Sequence, residues 1–162
     1  MQLLVSDANI LIDLEEGELL DTFFKLPFEF SVPDILFYEE LEELEEQHAH
    51  LIDMGLSVLE LSAETMMYAF EITQKAHGPS RNDCFAIALA KQERCPLLSG
   101  DRDLRKLAEE ELITVKGTLW IIETMIKESL LSVDNARVAY QKMRDSGRRL
   151  PWDIALRNLD RL

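Results

Sequence analysis

Cysteine is scarce: 162 residues hold only Cys84 and Cys95, and neither sits in a C-x-x-C pair. That excludes a disulfide framework and points to a reduced, cytoplasmic chain. Long apolar runs are missing, and none approaches the roughly 20 residues needed to span a bilayer, so no membrane role is expected. The opening Met1-Gln2-Leu3-Leu4-Val5 lacks the basic stretch and cleavage site of a secretory signal. Low-complexity tracts and internal repeats are also lacking. Positive charge is in short supply, with 17 Lys and Arg against 31 Asp and Glu, a net of −14. That balance excludes a passive electrostatic coat for nucleic acid or anionic membrane. It does not exclude chemistry on phosphates through bound cations, because carboxylates bind metals. What is present, 47% hydrophobic and 30% charged residues, describes a soluble globular protein large enough to bury a core unaided.

The charge is uneven. Residues 1–64 carry 17 acids and one base, Lys25. Residues 137–162 carry seven bases (Arg137, Lys142, Arg144, Arg148, Arg149, Arg157 and Arg161) and three acids. Two readings stay open for this tail: a solvated helix pair, or a surface that meets RNA phosphates or an acidic partner.

Hydrophobic spacing alternates strands with helices. Gln2–Ser6 reads as a short buried strand, followed by a helix through Ile10, Leu11 and Leu14 that Gly17 breaks. Leu19–Leu26 reads as a second helix and Phe28–Val32 as a strand. Pro33 opens a helix through Leu36, Leu41 and Leu44. Ser57–Leu61 is a strand candidate, and a long helix from Ser62 or Ala63 stops at His77-Gly78-Pro79. Ser80–Glu93 is helical, Pro96–Ser99 a strand, Asp103–Glu111 a helix and Leu112–Val115 a last strand. Thr118–Leu162 reads as three or four helices. The expected architecture is α/β, with a central, mostly parallel sheet flanked by helices over residues 1–130 and a C-terminal helical extension over 131–162 packed on the same domain. In such sheets ligands bind beyond the C-terminal strand ends, where strand order reverses.

Four acids fall at that edge. Asp7 directly follows the first strand, and Asp101 follows Leu97-Leu98-Ser99-Gly100. Glu40 lies on the helix after the second strand, and Asp83 near the start of the helix after Gly78-Pro79. Each has an ordinary reading: Asp7 and Asp101 as N-caps, Asp83 as a first-turn acid, Glu40 as one of a solvated run (Glu39, Glu40, Glu42, Glu43, Glu45, Glu46). Gathered in one crevice, they would repel one another, and a divalent cation resolves that repulsion. An all-oxygen set suits Mg²⁺ or Mn²⁺, not zinc, and His48, His50 and His77 have no zinc-ligand spacing. Neither cysteine sits in a nucleophile signature. Carboxylates with such a cation fit phosphodiester hydrolysis by activated water.

At these residues the sequence resembles the PIN-domain ribonucleases, the family that includes VapC-type toxins of toxin–antitoxin pairs. Val5-Ser6-Asp7-Ala8-Asn9 is similar to its opening motif, and Val32-Pro33 through Glu39-Glu40-Leu41 to its second-acid helix. Asn82-Asp83-Cys84-Phe85-Ala86 is similar to its third, and Leu98-Ser99-Gly100-Asp101-Arg102-Asp103-Leu104 to its fourth. The four occur in the family's order over roughly residues 2–120. The resemblance implies a PIN-like three-layer fold and a Mg²⁺- or Mn²⁺-dependent endoribonuclease, the toxin of a toxin–antitoxin pair. It implies catalytic Asp7, Glu40, Asp83 and Asp101, with Asp7, Asp83 and Asp101 on metal. Asn9 would orient the first carboxylate, and Ser99 and Asp103 would support the site. Ser99 stands where Thr is commoner but keeps the hydroxyl. Glu39 competes with Glu40, which directly precedes Leu41 as in the family's pattern.

The resemblance also implies RNA as substrate, an antitoxin whose arginine pairs with the carboxylates, and a homodimer as a further assembly, for which apolar positions on Ile121–Leu131 are candidates. Some of Arg81, Arg102, Arg105 and the tail arginines are expected on phosphates. A response-regulator receiver needs paired acids after its first strand, and a haloacid-dehalogenase-like phosphatase needs D-x-D there. Asp7-Ala8-Asn9 satisfies neither. The remaining alternative is a PIN-like binding module without nuclease activity.

Overall fold

A computed structural model describes residues 1–41 and 48–162. The expected contributions of Glu42, Glu43, Leu44, Glu45 and Glu46 lie outside the described residues. The sheet has five strands, β1 (Gln2–Ser6), β2 (Phe28–Pro33), β3 (Ser57–Leu59), β4 (Leu97–Leu98) and β5 (Val115–Lys116), in the order β3-β2-β1-β4-β5. All four pairings are parallel, with Leu4 opposite Phe30 and Val5 opposite Leu97. β1 is central, and Leu4, Val5 and Ser6 are buried, as a strand covered on both faces requires.

Among the described residues ten helices flank the sheet: α1 (Ala8–Glu16), α2 (Leu20–Phe23), α3 (Asp34–Glu40), α4 (His48–Met54), α5 (Ala63–Lys75), α6 (Arg81–Glu93), α7 (Arg102–Glu110), α8 (Thr118–Lys127), α9 (Val133–Asp145) and α10 (Trp152–Leu159). The chain steps from β1 to β2 in one direction and from β3 back to β4 in the other. Right-handed crossovers therefore set α1 and α6 on opposite faces. Strand order reverses between β1 and β4, and that is the edge where Asp7 and Asp101 leave the sheet.

Several expected boundaries shift. The second helix shrinks to Leu20–Phe23, and Phe24 packs edge-on against Phe23 and Phe30, whose rings stack at 3.8 Å. The last strand begins at Val115, not Leu112. Leu112 has φ +63 and is 94% exposed, so it turns the chain after α7. Ile121, Ile122 and Met125 of α8 are fully buried in the core, while Ile126, Leu130 and Leu131 are partly buried.

The tail explains the charge asymmetry. α9 packs on α1 beside Gly17, where a β-carbon would lie 2.6 Å from Met143 Cε. Lys142 bonds Glu18, Ser146 Oγ donates to Glu16 at 2.8 Å, and Arg148 Nε donates to Asp13 at 2.6 Å. Three of the tail's seven bases thus have acidic partners: Arg148 with Asp13, Lys142 with Glu18 and Arg137 with Asp160.

Candidate active site

Asp7 is fixed between two strands. Its N–H donates to Leu98 O at 3.0 Å, and its Oδ1 accepts from Ile10 N–H at 3.0 Å as the N-cap of α1. The residue is 2% exposed, and Oδ2 is buried without a hydrogen-bond partner. Burial pushes the carboxyl up to about 7, helped by the charges of Asp83 and Asp13, while the Ser99 hydroxyl and the Ile10 N–H pull it down.

Asp101 caps α7, its Oδ1 accepting from Leu104 N–H at 2.9 Å. Its own N–H donates to Ser99 Oγ at 3.1 Å. Fully buried Ser99 therefore stands between the first and fourth acids. Asp83 sits in a capping box with Ser80: Ser80 N–H donates to Asp83 Oδ2, and Asp83 N–H to Ser80 Oγ, both at 3.0 Å. The S-x-x-D spacing was the signal for this cap. Burial raises the Asp83 carboxyl, and the Asp101 charge adds to that. Each aspartate thus gives one oxygen to backbone N–H groups and leaves the other free. Capping and metal binding are compatible readings of one residue. Three helix N-termini meet here, and their partial positive charge offsets some of the repulsion.

The two glutamates separate. Glu39 is exposed and accepts from Arg81 Nη2 at 2.7 and 2.8 Å and from Asn82 Nδ2 at 3.1 Å, which hold its carboxyl low. Glu40 is half-buried, and its carboxyl is raised by burial and by the Asp83 charge, while Asn82 pulls it down. Glu40, one helical step on, is the acid coupled to the others.

Two supporting residues depart from expectation. Asn9 does not hold the Asp7 carboxylate. It lies roughly 200° round the helix from Asp7 at 3.6 residues per turn, is exposed, and its Oδ1 accepts from Arg148 Nη2 at 3.1 Å. Asp103 turns toward Gly78, where a β-carbon would lie 2.7 Å from its Oδ2, and lines a hollow with His77 and Lys106 instead of joining the acids. Arg148, one of the tail arginines expected on phosphates, instead stands at the edge of the site in a pair with Asp13. It lines a hollow of about 370 Å³ together with Asn9, Asp13 and Asp101.

The donor set is all oxygen, and its deepest member ends in an orphaned buried oxygen, which suits a hard divalent cation. Among the described residues, no three acidic, histidine or cysteine side chains close on a common point as a ready-made cage.

No curated protein sequence matches the chain. Among solved structures it is similar to VapBC2 from Rickettsia felis bound to a promoter DNA fragment, at 16% identity and a TM-score of 0.51, covering 72% of this chain and 98% of that one. A PilT N-terminus domain protein from Sulfolobus solfataricus P2 matches at 13% identity and a TM-score of 0.49, covering 77% and 93%. A family model described as a PIN domain, DUF3368, matches residues 3–162, nearly the whole chain. The parallel sheet and that match lead to one conclusion: the chain belongs to the PIN-domain family.

Proposed function

We propose that this protein is a metal-dependent endoribonuclease with a hydrolytic site made of Asp7, Glu40, Asp83 and Asp101. The observation that carries the reading is the buried, unpartnered Oδ2 of Asp7 at the strand switch point. Asp7, Asp83 and Asp101 would hold Mg²⁺ or Mn²⁺. When bound, such a cation supplies an acidified water and neutralises charge on the phosphate. The chain supplies the rest. The Ile10 N–H positions the Asp7 carboxylate, and the Ser99 hydroxyl and the Ile10 N–H favour its charged form. The Ser80 backbone fixes Asp83. Glu40, raised by burial beside Asp83, is placed to orient the attacking water and accept its proton.

The test is cleavage of a mixed structured-RNA pool by the protein and by an Asp7→Asn/Asp101→Asn variant, with Mg²⁺ or Mn²⁺ and with EDTA. Metal-dependent cleavage that disappears in the variant is the expected result. Cleavage equal in both overturns the reading. An inactive protein indifferent to metal returns the chain to the class of PIN-like binding modules. A toxin role in a toxin–antitoxin pair is part of the proposal, supported by the likeness to the VapBC2 structure. Its antitoxin would approach the carboxylates with an arginine.

Two further results are expected. Millimolar Mg²⁺ or Mn²⁺ raises the melting temperature, since a ligand of the folded state at a hundredfold excess over Kd adds about 2.7 kcal/mol. A calorimetric scan with and without metal reads this, and an unmoved transition removes the metal site. Glu40→Gln lowers kcat by about tenfold or more, whereas Glu39→Gln leaves it nearly unchanged, because Glu39 is already committed to Arg81. Equal losses in both would place the second acid wrongly.

A further inference from the structure

A second cavity adjoins the acids. It encloses about 430 Å³ between α7, β5, the start of α8 and the segment before α10, and Gly100, Arg105, Lys116, Trp120 and Arg149 line it. It shares Gly100, Arg149 and Leu150 with the hollow that holds Asp101, so the two form a continuous path.

Its charge is anomalous. Acids outnumber bases 31 to 17, so a cavity lined by three bases and no acid runs against the composition. Among the described residues, Lys75, Arg81, Arg137, Lys142 and Arg148 each have an acidic partner. Arg105, Lys116 and Arg149 have none, and no acid lines their cavity. Arg105 makes one long bond, Nη1 to Val115 O at 3.5 Å. The Lys116 ammonium stands 5.9 Å from the Trp120 ring centroid. Three like charges round one cavity repel, and an anion drawn into it removes that cost. Trp120 is half-buried and packs against Phe28 at 5.8 Å, so its indole is held in place as part of the wall. Cations beside a fixed aromatic ring are the chemistry that recognises a single-stranded nucleotide: guanidinium on phosphate, base on ring.

We propose that this cavity is a nucleotide subsite, which seats one nucleotide of the RNA strand next to the scissile bond, its phosphate on Arg105 and Arg149 and its base against Trp120. The inference rests on the hydrolytic reading of the neighbouring acids and supplies what they lack, a means for an acidic protein to hold a polyanion. It narrows the cations expected on phosphates to those without a partner. Arg81 and Arg148 are committed elsewhere.

The experiment measures binding of a fluorescent single-stranded oligoribonucleotide to the full chain in EDTA, across a salt series. Arg105→Gln/Arg149→Gln is expected to weaken binding at least tenfold and to flatten the log–log salt slope by about 1.4, the value for two lost phosphate contacts on a single strand. RNA should quench tryptophan fluorescence in Trp152→Phe but not in Trp120→Phe. Thermal melting confirms that each variant is folded. Unchanged affinity and slope in the arginine variant overturn the subsite, as does a polyglutamate peptide that binds the cavity where RNA does not. Unchanged binding in the arginine variant together with loss of cleavage in Asp7→Asn would overturn the subsite alone. Arginine-dependent binding with cleavage indifferent to Asp7 would overturn the hydrolytic reading alone.

Discussion

Asp7→Asn is expected to reduce RNA cleavage by at least about a hundredfold and yet to make the metal-free protein more stable at neutral and alkaline pH. The loss follows from removing the central carboxylate of the proposed metal site. The gain follows from its burial. In the folded protein the Asp7 carboxyl is pushed up to about 7 from an ordinary 3.8. Between those values the folded chain holds a proton that the unfolded chain releases. Its stability is therefore fully present below about pH 4 and is lost as pH rises through about 7, a swing on the order of 2–4 kcal/mol. Asparagine is neutral throughout, so the variant escapes this term and gives back part of the gain in an imperfectly satisfied amide. Melting curves from acid to alkaline pH in EDTA should converge at low pH and separate above pH 7, with the variant higher. A variant that melts below the parent at every pH would show that Oδ2 is not a destabilising charge.

Arg148→Ala is expected to cost about 3–5 kcal/mol, the usual result of stranding a buried charge. Asp13 is 5% exposed, and its two oxygens accept from Arg148 Nε at 2.6 Å and Thr118 Oγ1 at 2.9 Å. Burial still raises its carboxyl, although Arg148 opposes that. Without the guanidinium, Asp13 must take up a proton or draw in water. Denaturant unfolding should show a lower midpoint, and melting should fall on the order of 10 °C. Adding Asp13→Asn to Arg148→Ala should restore much of the loss. Equal stability of parent and Arg148→Ala would mean that solvent already screens the pair.

The contrast between these residues shows what a sequence can disclose. Asp7 and Asp101 were legible because a strand followed at once by an acid is a local pattern, and a parallel sheet brings such ends to one edge. Asp83 was legible by its place at a helix start. The pairing of Arg148 was not, because its partner Asp13 lies 135 positions away and only the packing of α9 on α1 joins them. Glu39 and Glu40 are alike in composition, and only the phase of α3 against Asn82 and Asp83 parts them. Leu112 misled because an apolar residue beside a β-branched pair reads as strand, whereas it serves as a left-handed turn. The apolar stripe of Ile121–Leu131 was real, but periodicity does not say which surface covers it. Here the core covers Ile121, Ile122 and Met125.

The parallel pairing of β1 with β4 has a consequence for biosynthesis. Val5 leaves the ribosome early and finds Leu97 as its neighbour only much later. Until that contact closes, Asp7 and Asp101 belong to unconnected stretches of nascent chain, and so long-range a contact is slow to form. A half-made chain therefore lacks the proposed hydrolytic site, which is assembled only after the segment that carries β4 has been translated.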